Sequence, residues 1–278
     1  MKKAFRLLIP LLTIAALIWW VDWSQVGGAI GRADPCGVVI FYAVVCGFMF
    51  LHFARIAYVL NVPLRAGADA IISVSWMRMF APDAVLAVVR WEILSRYTGS
   101  RKLALTGLAY WQVVNLVVRC TILLAIFCME WVPVALVVGG VVWIVAVWLA
   151  RKDYLPQSVS DYIRQPIVFH AGNVVSSAAI AVVNGMVWYT AALAMGVHIP
   201  FVGCMWAQVV CGLISKIPWT VGDIGIKEGI VAWMASVYGV PPEGALLIMV
   251  LLRSSWLLLA AGALSRPLWV GHVKGVAA

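Results

Sequence analysis

Residues 217–229 read IPWTVGDIGIKEG, a glycine-rich elbow that carries Asp223, Lys227 and Glu228 between two apolar runs. Even on lenient insertion scales, a charged side chain at the centre of a bilayer costs roughly 2.5–3.5 kcal/mol. Three such groups within six residues therefore stand either outside the membrane or at a site that uses them. The rest of the chain shows what surrounds the elbow. Hydrophobic residues fill 64% of the 278 positions and charged residues 11%, against about 45–50% and about 25% in soluble proteins. Uncharged windows of eighteen or more residues recur, and fifteen tryptophans supply rings of the kind that gather at headgroup level. This composition predicts an all-α polytopic membrane protein, a single transmembrane domain over 1–278.

Apolar runs long enough to cross about 30 Å of hydrocarbon fall near 7–21, 37–59, 104–128, 132–150, 168–195 and 242–263, predicting about six full spans. The first follows Lys2, Lys3 and Arg6 as in a signal peptide, yet no A-x-A-like cleavage site comes after it, which predicts an uncleaved helix. Fourteen basic residues fall on segments that share a side with the N-terminus, and three (Arg32, Lys216 and Lys227) on the opposite side. The positive-inside rule then puts both termini in the cytoplasm. The net charge of +9 is scattered singly or in pairs beside span ends, a pattern suited to anionic lipid headgroups and not to nucleic acid. The six cysteines contain no C-x-x-C pair and read as small buried hydrophobes.

Two regions depart from simple spans. In 68–98, the stretches AIISVSWMRMFA and AVLAVVRWEIL flank Pro82-Asp83; in 201–239, FVGCMWAQVVCGLIS and IGIKEGIVAWMASVYGV flank the elbow from Pro218 to Gly225. Each stretch makes a helix of roughly 17–25 Å, short for a crossing, and a central proline interrupts each pair. The economical prediction is two re-entrant helical hairpins entering from opposite sides, although two short tilted spans per region satisfy the same parity. The regions also share a register. Glu92 comes ten residues after Pro82 and Glu228 ten after Pro218; Tyr97-Thr98-Gly99 and Tyr238-Gly239 close them. Each is followed by a span with one arginine, Arg119 or Arg253. An inverted repeat with halves near 37–128 and 168–263 follows, a plan that transporters build around a midplane site.

A helix beginning near Ile224 would aim unpaired N–H groups inward, and Gly222 and Gly225 would let a ligand oxygen approach. Lys227 would supply counter-charge and Glu228 would balance it. The plainer alternative has Asp223 capping the helix, with Lys227 and Glu228 at the outer interface. Arg119 and Arg253 lie deep in apolar runs, where arginines face a bundle interior and can fit a phosphate bidentately. Arg55 reads either as a snorkelling residue or as part of the same path; Arg90 and Glu92 read equally as a cytoplasmic interface pair or as site residues. Asn115, Gln112 and Asn173 are expected to hydrogen-bond between helices. The sequence contains no nucleophile-elbow, zinc-protease or phosphate-loop motif. No catalytic residue, metal site or cofactor is expected, and an enzyme is the less favoured class.

The elbow and its surroundings resemble the lysylphosphatidylglycerol synthase transmembrane-region family, the flippase-like membrane domain of the multiple peptide resistance factor. Pro218, Thr220, Gly222, Gly225, Lys227 and Glu228 match its C-terminal pattern, followed by Gly239-Val240-Pro241 and Leu252-Arg253. Ala54-Arg55 matches the family's pair in the second span, and Pro82 and Arg90 match its middle motif. The family's Gly-Glu is replaced by Leu86-Ala87, and its Glu-Arg-x-x-Asp by Trp111-Gln112-Val113-Val114-Asn115, so the first elbow has lost charge that the second keeps. The resemblance implies a stand-alone lipid translocator of a bacterial or archaeal cytoplasmic membrane, without aminoacyl transfer. Its cargo would be an anionic phospholipid or polyprenyl-linked headgroup. Partners would be membrane lipids, a second copy of the chain, or a lipid-modifying enzyme. The alternative is a membrane glycosyltransferase, or its accessory subunit, acting on a lipid carrier.

Overall fold

The computed structural model describes residues 23–75, 83–127, 157–214 and 226–264, with Trp148 and Lys152 besides. The expected span at 7–21, nearly all of that at 132–150, and Pro82, Pro218, Gly222, Asp223 and Gly225 lie outside the described residues. The described elements are all helical: α1 (Trp23–Gly31), α2 (Pro35–Leu60), α3 (Leu64–Ser75), α4 (Asp83–Thr98), α5 (Arg101–Phe127), α6 (Gln157–Ile163), α7 (Ile167–Ala194), α8 (Phe201–Ile214), α9 (Ile226–Val237) and α10 (Pro242–Leu264). Among them α2, α5 and α7 are long and apolar enough to cross a membrane, at positions where spans were expected. The helix α10 covers the last expected span.

Local chemistry sets the ends of α2. Asp34 accepts hydrogen bonds from the backbone N–H groups of Cys36 and Gly37, each at 3.0 Å, and Pro35 occupies the first turn. At the other end Asn61 turns into the left-handed region at φ 49°, and the Val62 N–H bonds back to Ala57 O at 3.0 Å.

Helices α2 and α7 lie antiparallel at the centre. The Asp34 N–H donates to Ala194 O at 2.8 Å at one end, and the Tyr58 hydroxyl donates to Phe169 O at 3.3 Å at the other. The short helices form two antiparallel hairpins. Tyr97 on α4 donates to the Asp69 carboxylate on α3, while Trp206 on α8 packs against Trp233 of α9 with ring centres 4.5 Å apart and planes tilted by 38°. At 12 to 16 residues each, these helices reach only about 18–24 Å.

The neighbour relations of α1–α5 recur in α6–α10. Helix α2 touches α3 and α5, α3 touches α4, and α4 touches α5; likewise α7 touches α8 and α10, α8 touches α9, and α9 touches α10. Contacts between the halves are also reciprocal: α3 meets α10 as α8 meets α5, and α1 meets α10 as α6 meets α5. Even the turns correspond. Asn61 (φ 49°) and Gly196 (φ 67°) follow the two long central helices, and Gly99 (φ 68°) and Gly239 (φ 65°) follow the two hairpins. One asymmetry stands out: α5 packs along α7, whereas α10 reaches α2 through the Tyr42 to Ser254 hydroxyl contact of 2.7 Å.

Buried apolar side chains such as Phe41, Ile56, Leu94, Met234 and Ile248 fill the space between helices, while Val39, Ile40, Phe50, Val174 and Val175 point outward, as lipid contact requires. The cysteines depart from expectation: Cys204 and Cys211 are buried, but Cys36, Cys46 and Cys120 are exposed. In an apolar solvent a thiol on the outer face of a span loses little, so burial was not demanded of them.

Candidate functional site

A cavity of about 340 Å³ lies at mid-length of α2, α5, α7 and α10, within the range of ligand pockets. Four cations line it: Arg90 from α4, Arg119 from α5, Lys227 from α9 and Arg253 from α10. Polar groups from four helices interleave with them, among them Gln112 and Asn115 (α5), Asn184 (α7), Gln208 (α8) and Ser255 (α10). The apolar wall comes from Phe48, Met49, Trp111, Val187, Trp188 and Trp256. No carboxylate is among the described lining residues.

Each cation has a specific seat. Arg253 donates from both Nε (3.1 Å) and Nη2 (2.8 Å) to Glu228 Oε1, in a pair whose side chains are 22% and 15% exposed. Lys227 sits in the first turn of α9, so consecutive residues send one side chain to the cavity and one to Arg253. Arg119 lies across α8 where Gly212 leaves room; a Cβ on Gly212 would come within 1.1 Å of Arg119 Nη1. Arg90 is buried. The amides are tied down as well: Asn184 Nδ2 donates to Gln208 Oε1 at 2.8 Å, and Gln208 Nε2 donates to Ala181 O at 3.2 Å. Such pairs lock α8 onto α7 and hold the site's geometry.

The cavity opens on the side. Val113 and Leu116 of α5 line it and are 59% and 49% exposed, so its mouth lies on a flank of the bundle and not only at an end. Chemically, the site is a cationic pocket with amide donors and a lateral apolar opening. Two unit charges 4 Å apart attract by about 4 kcal/mol at the effective dielectric near a protein surface. Guanidinium, ammonium and amide donors converging on one cavity suit an oxyanion.

The structure thus brings together Arg90, Arg119, Lys227 and Arg253, with Glu228 behind Arg253, and separates other residues singled out from the sequence. Glu92 faces the surface, ion-paired with Arg101 at 3.4 Å and Arg96 at 3.9 Å. It is not the partner of Arg90, because two helical positions put the side chains on different faces. Arg55 is 2% exposed and held by Asn115 and Asn173. It does not snorkel, and it is not among the described lining residues. Arg90 and Lys227, assigned by the charge count to opposite sides of the membrane, meet in one cavity. Gly212, Asn184, Gln208 and Ser255 escaped the sequence reading. Isolated amides within uncharged runs were the available signal for Asn184 and Gln208, the same signal that marked Asn115 and Asn173. Nothing in the sequence around Gly212 indicates that an arginine rests on it.

No protein-family model, curated protein or solved structure matches the chain.

Proposed function

We propose that this chain is a lipid translocator of the cytoplasmic membrane, carrying an anionic headgroup through the bundle while the acyl chains stay in lipid. The observation that carries this reading is the cavity at mid-length of the long helices, lined by four cations and bordered on one flank by the exposed Val113 and Leu116. A phosphate-bearing headgroup finds bidentate donors there, and a side opening spares the acyl chains from crossing the bundle. In this reading α3/α4 and α8/α9 are re-entrant hairpins entering from opposite sides, about six spans surround them, and both termini are cytoplasmic. The reciprocal packing of α1–α5 and α6–α10 supports an inverted repeat, which lets one set of contacts serve an inward-open and an outward-open form. A glycosyltransferase acting on a lipid carrier would need carboxylates at its site; the described lining residues offer none. The resemblance to the flippase-like domain family points the same way.

The test is reconstitution into vesicles with leaflet exchange followed for a panel of labelled anionic and zwitterionic lipids. Protein-dependent exchange of anionic lipids is expected, reduced at least tenfold in a Lys227→Gln/Arg119→Gln variant that retains its helical circular dichroism. Absence of exchange across the whole panel would overturn the proposal.

A further inference from the structure

Arg55 is a buried cation for which the cavity gives no account. The residue lies five positions before the end of α2 and is 2% exposed. None of the described ion pairs includes it. Among the described residues its polar surroundings are neutral or of like charge: Asn115, Asn173, the Tyr110 hydroxyl and the Arg119 guanidinium. Nε donates to Asn173 Oδ1 at 3.4 Å and Nη1 donates to Asn115 Oδ1, while Nη2 is buried without a hydrogen-bond partner. The guanidinium carbon stands 5.9 Å from the centre of the Trp111 ring, and Trp111 Nε1 is likewise buried and unpartnered. Trp111 itself is 6% exposed.

Two orphaned donors on neighbouring groups, one of them formally charged, form an incomplete site. A buried charge is tolerated when an opposite charge or hydrogen-bonding partner completes it, and unsatisfied buried donors mark a missing acceptor. The two asparagine oxygens are already turned toward Arg55, so they add no repulsion toward an incoming anion. We infer that Arg55 Nη2 and Trp111 Nε1 form a second oxyanion site, for a phosphate group, between α2, α5 and α7. It adjoins the cavity, because Trp111 and Asn115 line that cavity as well, and Arg119 contributes charge to both. The site stands on these contacts whether or not the protein moves lipid; if it does, Arg55 is a stopping point for the headgroup beside the central cavity. The phosphate belongs either to a lipid headgroup or to free phosphate.

Calorimetric titration of the full chain in detergent separates these cases, using inorganic phosphate and, separately, short-chain phosphatidate. Two binding events are expected for the wild type. Arg55→Gln weakens one at least tenfold, as loss of a charge-assisted hydrogen bond implies. Trp111→Phe, which keeps the ring and removes only the N–H, weakens the same event about three- to tenfold. Lys227→Gln acts on the other event. Displacement of phosphate by phosphatidate at the Arg55 event assigns it to headgroups, and phosphate binding without displacement assigns it to the free ion; both support the site. A single event, or two events untouched by Trp111→Phe and by a folded Arg55→Gln, would overturn it and leave the donors to water. Should Arg55→Gln fail to fold, Trp111→Phe alone decides. Two intact events without lipid exchange would sink the translocator and spare the site; exchange with a single event would do the reverse.

Discussion

The hairpins α3/α4 and α8/α9 carry one glutamate each, at the same distance from their prolines, yet the two glutamates meet opposite environments. Glu92 lies near the close of its hairpin, 39% exposed, and pairs with Arg96 and Arg101 on the surface. Glu228 lies in the first turn of α9 and pairs with Arg253 beside the central cavity. Equal spacing from a proline therefore does not confer equal burial. What differs is the helix that follows: α10 presents an arginine at its middle to α9, whereas α4 meets the first residue of α5, Arg101. The hairpins still converge in one respect, since Arg90 from α4 and Lys227 from α9 line the same cavity.

The sharpest way to break this comparison is to remove one member of the half-buried Arg253–Glu228 pair. Arg253→Met removes the arginine held by Glu228 in a site only 15% exposed, which should cost about 2–4 kcal/mol in detergent unfolding and abolish lipid exchange. The double variant Arg253→Met/Glu228→Met should recover much of the stability without recovering exchange. A loss below about 0.5 kcal/mol for the single change would place the pair on the surface, with Glu92.

The packing of the halves can be compared through two glycines. A Cβ on Gly67 of α3 would lie 2.3 Å from the backbone oxygen of Phe53, which cannot step aside. One on Gly185 of α7 would meet Met205 Sδ at 2.0 Å, the flexible end of a side chain. Gly67→Ala is accordingly expected to cost about 2–3 kcal/mol and Gly185→Ala less than about 1 kcal/mol. Thermal melts giving the reverse order would contradict the helix spacing described for α2 and α3.

Gly212→Ala should cost little stability, about 1 kcal/mol, because Arg119 can swing away. Exchange should nevertheless fall about tenfold, as one of the cavity's charge-assisted contacts is lost. Adding Arg119→Ala would restore the melting temperature but not exchange. Smallest of all, Glu92→Gln should change stability by less than about 0.5 kcal/mol, with the difference vanishing in high salt, and should leave exchange as it was. A large loss of exchange would return Glu92 to the site.

Much of the architecture was legible because it rests on the bilayer. Apolar runs at 37–59, 104–128 and 168–195 must become helices to satisfy their backbone groups in hydrocarbon, and α2, α5 and α7 follow them closely. The two hairpin regions were legible from length and proline, and the glycines that close them in sequence, Gly99 and Gly239, adopt left-handed turns after α4 and α9. The site was legible only in part. Arg119 and Arg253 were marked by the cost of burying charge, but the burial of Arg55 near a span end was not, since a long side chain there can equally reach water. Gly212 illustrates the remainder: its significance exists only because α8 brings it beneath an arginine 93 positions earlier in the chain.

Composition and spacing alone dictated a helical membrane bundle with two interrupted regions, because a bilayer penalises every unpaired backbone group and isolated charge along the chain. Packing decided that Arg90 and Lys227 meet, that Glu228 holds Arg253 while Glu92 stays at the surface, and that Arg55 is sealed between Asn115, Asn173 and Trp111. These pairings join residues far apart in sequence. They depend on which helix faces press together, and hydropathy, which reads one segment at a time, carries no record of a segment's partner.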